Sequence, residues 1–156
     1  MLNLPEPLAA ALAPLFAMIP FEQAMPHLTG SEPKQTALIE DILRNPLLAN
    51  RLELAAGLWL YADDLERSHT VSQSIEDATG SYWHGIMHRR EGDFSNAHYW
   101  LRRAARHPLF TERPELESDT LIDAVSRARG ANPPELVARQ REEWAALFQY
   151  CATKKG

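Results

Sequence analysis

Apolar residues along the chain recur at helical spacing, and polar or proline-bearing breaks divide them into a series of helices. Over residues 34–44, Ala37, Leu38, Ile42 and Leu43 fall on one side of a helix. Asn45-Pro46 then offers an N-cap followed by proline at the first helical position. The helix this predicts runs to about Ala62 and is apolar on most faces through Leu47, Leu48, Leu52, Leu54, Ala55, Leu58, Trp59 and Leu60, so it belongs at the centre. Asp63 begins the next helix, with Glu66 completing a capping box, and Arg67, His69, Ser72 and Gln73 make this helix polar. A break at Thr79-Gly80-Ser81 leads into Ser81–Pro108, read as two short helices in which Gly92 ends the first and Asp93 caps the second.

The two ends of the chain read as covers for this centre. Residues 1–30 contain five prolines and predict one or two short apolar helices around Pro7–Met18, followed by an irregular connection. Residues 109–117 read as a linker containing Pro114. A helix over Ser118–Arg129 follows, closed by Gly130, and Asn132-Pro133 caps the last helix. There Leu136, Gln140, Trp144, Leu147, Phe148 and Cys151 share a face. No alternating, β-branched run predicts a strand. The expectation is one all-α domain over residues 1–156: helical hairpins at 46–75 and 81–108, a linker at 109–117, and C-terminal helices at 118–151.

The two hairpins are related in sequence. Gly57-Leu58 aligns with Gly85-Ile86, Asp64-Leu65 with Asp93-Phe94, and Ser68-His69 with Ala97-His98, allowing one inserted residue at Gly92. The second copy resembles a tetratricopeptide hairpin. The small residue of that motif's first helix matches Gly85, and its turn glycine and following aromatic match Gly92 and Phe94. Its spaced small and large residues match Ala97, Leu101 and Ala104, with Pro108 near the closing proline. The departures are a period shorter than the usual of about 34 residues, His88 in place of the motif's tyrosine, and a degenerate first copy. The string GSYWHGIMHRREGDFSNAHYW is also similar to a family of uncharacterised bacterial proteins, a likeness that implies no activity.

Composition narrows the function classes. A net charge of −5 argues against wholesale binding to nucleic acid, which needs a basic footprint. The thirteen arginines against three lysines fit either fixed anion contacts or a GC-rich genome. A single cysteine, Cys151, excludes an internal disulfide and any cysteine-based zinc motif. Residues 1–33 lack Lys and Arg, so a signal peptide has no charged n-region, and prolines 5, 7, 14, 20 and 26 interrupt any spanning run. A soluble, cytoplasmic protein with no membrane contact is the expectation.

Three constellations carry candidate chemistry. His84, His88 and Glu91 stand at i, i+4 and i+7 on one helix face, where two imidazoles and a carboxylate would hold three positions of a tetrahedral zinc site and leave the fourth for water. His69 and His98 occupy equivalent repeat positions and are candidates to lie nearby. A packing role for His88 and His84 competes with this reading, and no glutamate follows the first histidine as in HExxH. The carboxylates Asp63, Asp64, Glu66, Glu91 and Asp93 offer an acid–base pair, but capping accounts for Asp63 and Asp93. No phosphate-binding glycine loop or nucleophile elbow is present, and Cys151 reads as a core residue.

The tetratricopeptide resemblance supplies the third. In that family the first helix of each hairpin lines a groove whose basic residues hold peptide carboxylates. At matching positions this chain has Arg51 and Tyr61 from copy one, and Tyr82, Trp83, Arg89 and Arg90 from copy two. The leading expectation is therefore a module that binds a peptide or protein partner, or a small anionic ligand, at this face. A small metal-assisted hydrolase using His84, His88 and Glu91 is the alternative, with zinc or a similar divalent metal as the one cofactor in view. A purely structural or assembly role is the third.

Overall fold

The computed structural model describes residues 2–154, and every element in it is helical. Nine α-helices run in order: α1 Glu6–Met18, α2 Thr36–Leu43, α3 Leu52–Tyr61, α4 Leu65–Ser72, α5 Ala78–Arg90, α6 Phe94–Arg103, α7 Pro108–Glu112, α8 Ser118–Ala128 and α9 Pro134–Thr153. Among the described residues there is no strand, and no helix is long and apolar enough to cross a membrane. Both α3 and α5 are buried along nearly their whole length, because α3 is apolar on every face and α5 meets neighbours on all sides. They form two successive hairpins, α3 with α4 and α5 with α6, and α4 packs on α5 to join them.

Within the second hairpin the helices approach closely through Gly85. A Cβ there would lie 1.6 Å from Leu101 Cδ2, so only glycine permits this separation of α5 and α6. Gly57 does the same for α3, whose backbone lies against the rings of Trp83 and Phe148. Behind the hairpins α9 lies against α3, with Trp144 Nε1 donating to the Gly57 carbonyl at 2.8 Å. The same helix holds the N-terminal segment: Gln140 Nε2 donates to the carbonyls of Met25 and His27, each at 3.1 Å, and Arg141 Nε donates to Ala24 at 2.8 Å. A small second cluster of Leu28, Leu121, Val125 and Val137 fills the space between this segment and the α8–α9 end.

Several boundaries differ from those the sequence predicts. Residues 46–50 form turns, with Asn45 Oδ1 accepting from Leu47 N at 2.9 Å, and the central helix begins only at Leu52. Thr79-Gly80-Ser81 is no break, because Asp77 caps α5 by accepting from Gly80 N and the helix runs straight through. The linker at 109–117 contains α7 and a 3₁₀ turn at Pro114–Leu116, since His107 caps the segment and Pro108 starts it. On α2 it is Ile39 and Ile42 that are buried, while Ala37 is exposed. Asp93 does cap α6, but the cap of α4 is Asp64, which accepts from Arg67 N at 3.0 Å. Asp63 has left-handed backbone (φ 62°) and turns its carboxylate inward.

Candidate metal centre

The seam between α4 and α5 brings three histidines together. His84 and His88 lie one turn apart on α5, so their rings stack at 4.8 Å between centroids. His69, from the middle of α4, meets both edge-on, at 4.8 Å from His84 and 5.4 Å from His88. One nitrogen from each ring lies within 4.8 Å of the others. A tetrahedral ion with nitrogen ligands at 2.0–2.1 Å holds them about 3.4 Å apart. Binding an ion would draw the three nitrogens together, and His69 is the one ring of the three that is only half-buried.

The surroundings of His84 suit a neutral imidazole. His84 is 4% exposed and His88 8%. Burial, reinforced by the neighbouring His88 and His69, pushes the His84 imidazole down from 6.5 to about 4. It is therefore unprotonated at neutral pH, as a metal ligand must be. Its Nδ1 is buried with no hydrogen-bond partner among the described residues. Trp100 of α6 stacks flat on the other side of His84, 3.9 Å between centroids and 11° between planes, which fixes the ring's orientation. Glu91 sits 2.6 Å from His88 Nδ1. That is the relation of a carboxylate that orients a ligating imidazole.

Glu91 and His69 also line a surface depression of 430 Å³ with Asp64, Glu66, Arg67 and Met87. Its rim carries more carboxylates than cations, and of the three histidines it is His69 that opens onto it. A second group, His88 with Glu91 and Asp93, has the same close spacing, but both Asp93 oxygens are engaged by Asn96 at the start of α6.

The expected members fare unequally. His84 and His88 converge, and His69 joins them as the equivalent repeat position hinted. His98 does not: it bridges α6 to α8 through Asp119 (Nδ1, 2.7 Å) and Asp123 (Nε2, 3.0 Å). The groove residues need correction. Arg89 and Arg90 are 0% exposed, with Arg89 Nη1 donating to Glu143 at 2.7 Å and Arg90 Nη2 to Asp63 at 2.5 Å. They hold α5 to α9 and to the end of α3, and so they face no solvent groove. Tyr82, Trp83 and Tyr61 are buried too; Tyr82 stacks on Phe110, and Tyr61 donates to the Ile19 carbonyl. Arg51 lines a 500 Å³ hollow shared with Glu53, Asp77 and Lys154, and it donates to Glu53 and to the Cys151 carbonyl.

Signals for the missing members were present but ambiguous. The shared alignment of His69 and His98 pointed equally at both, and the neighbouring helix decided between them. Burial pushes the Cys151 thiol up to about 12, consistent with a core residue and not a nucleophile. No protein-family model, no curated protein and no solved structure matches the chain.

Proposed function

We propose that this protein binds one divalent transition metal of the zinc class through His69, His84 and His88, with Glu91 orienting His88. The observation that carries the reading is the convergence of three imidazoles from two helices on one point, the innermost neutral and without a hydrogen-bond partner among the described residues. Imidazole nitrogens favour zinc, copper, nickel and cobalt over magnesium or calcium. The two hairpins that carry the ligands are read as tetratricopeptide-like, with the first-copy histidine supplied across the hairpin boundary. A catalytic use of the same ion is the second reading. It is favoured by the depression at His69 and Glu91, through which water or a small molecule reaches the fourth coordination position, where bound water becomes nucleophilic near neutral pH.

The test is elemental analysis and titration calorimetry on protein prepared without an affinity tag. We expect one zinc per chain, with uptake lost in His69→Ala, His84→Ala and His88→Ala but retained in His98→Ala. Bound zinc must also raise the melting temperature, because it binds only the native state. Metal-free protein whose melting point ignores added zinc overturns the proposal.

A further inference from the structure

The ligands come from different hairpins, and those hairpins are not equally well built. Sequence alignment of the two copies places Ser68 and Ser72 of α4 opposite Ala97 and Leu101 of α6. All four side chains are buried. In α6 the alanine and leucine fill the seam against α5 and, with Phe94, anchor the helix by apolar contact. In α4 the serines are the only fully buried residues; Ser68 Oγ donates to the Ala56 carbonyl at 2.9 Å, and Ser72 Oγ bonds back to His69 within its own helix. Apolar anchoring is left to Leu65 and Val71, both only partly buried. Arg67, itself half-exposed, adds an ion pair to Glu40 at 3.6 Å and lies over the buried Trp59 ring. A helix of eight residues has little stability of its own. The equivalent histidines also differ: His98 of α6 meets two aspartates, whereas His69 of α4 faces two more histidines.

Resting on the metal reading above, we infer that metal occupancy controls the docking of α4: the ion is a staple between the hairpins that replaces the apolar contacts this helix lacks. Without metal, α4 opens locally far more often than α6, and metal binding closes it. The site would thereby convert the availability of a transition metal into order or disorder of one surface helix, whose outer face carries Glu66, Arg67 and Thr70. The depression beside His69 is the route by which the ion arrives, and its acidic rim favours a cation.

Hydrogen exchange read by mass spectrometry tests this on the full chain. Protein stripped with a chelator is compared with protein loaded with one equivalent of zinc, and calorimetry on the same samples gives the stoichiometry. The expected result is at least ten-fold faster exchange in α4 than in α6 without metal. Zinc should then slow α4 by ten-fold or more while leaving α6 unchanged. His69→Ala should hold α4 in the fast state with or without zinc; its half-exposed ring makes this variant tolerable to the fold. If one zinc binds and α4 exchange is unaltered, the staple is wrong while the metal site stands. If α4 is as protected as α6 in stripped protein, the inference fails as well. If no zinc binds, it falls together with the site.

Discussion

Arg90 is enclosed by protein, and its guanidinium donates to Asp63 at 2.5 Å and to the Leu60 carbonyl at 2.9 Å. Burial lowers the Arg90 pKa, and the Asp63 carboxylate opposes that shift by favouring the charged form. Such a pair matters less for its net contribution than for what its loss leaves behind, a buried Asp63 carboxylate whose other cationic neighbour, Lys34, is half-exposed and 3.7 Å away. Arg90→Ala should therefore destabilise the protein by roughly 3–5 kcal/mol. Arg113→Ala, which breaks an exposed pair with Glu115 at 3.0 Å, should change stability by less than about 1 kcal/mol. Urea unfolding of the two variants decides the matter, and equal losses would mean that the buried pair is not organising the α3–α5 contact.

At the scale of elements, the approach of α5 to α6 depends on the absence of a side chain at position 85. Gly85→Ala drives its methyl into Leu101, whose backbone nitrogen is also only 3.3 Å from the added carbon. The gain in helix propensity of about 1 kcal/mol does not offset an overpacking cost of roughly 1–3 kcal/mol plus loss of the α5–α6 fit. A net decrease in melting temperature is expected. Adding Leu101→Ala to Gly85→Ala should then cost less than Leu101→Ala alone, because the first substitution has already displaced that leucine. Strictly additive losses would show that the two residues do not meet. The same comparison of elements explains the paired histidines: each second helix uses one to reach a later helix, His69 toward α5 and His98 toward α8.

For the whole molecule, His107 ties the α5–α6 hairpin to the C-terminal cover. Its Nδ1 accepts from Leu109 N at 3.2 Å, so the proton resides on Nε2 and is donated to Thr79 Oγ1 at 3.0 Å. Its ring also meets Tyr82 and Tyr150. Burial pushes this imidazole down from 6.5 to about 4. The folded pKa lies below the unfolded one, so the unfolded chain binds the extra proton first and stability falls as pH drops from about 6.5 to about 4. Up to about 3 kcal/mol should be lost over that window from His107. In metal-free protein His84 adds a loss of the same sign. Denaturant midpoints at pH 7 and pH 4.5 measure it, and His107→Gln should flatten the dependence. A midpoint that is unchanged, or higher at pH 4.5, would contradict the buried neutral ring.

Helical periodicity and capping residues are properties of short stretches, and that is why the all-helical class and the helix over Ser118–Arg129 were legible from the chain alone. Asp93 before Phe94 and Gly92 in left-handed backbone (φ 84°) are local as well, and the turn of the second hairpin could be read from them. The i, i+4 relation placed His84 beside His88 for the same reason. The third histidine depended on a packing choice between two sequence-equivalent residues, and only the seam of α4 against α5 selected His69 over His98. Arg89 and Arg90 mark the other limit. A run of two arginines near a helix end reads as solvent-facing until Glu143, 54 residues after Arg89, and Asp63, from the preceding hairpin, supply buried carboxylates. Local sequence determined most of the helical segments and where most of them stop, but not α7 or the late start of α3. Tertiary structure decided which polar side chains are interior, because burial of a charge depends on a partner that the neighbouring sequence does not contain.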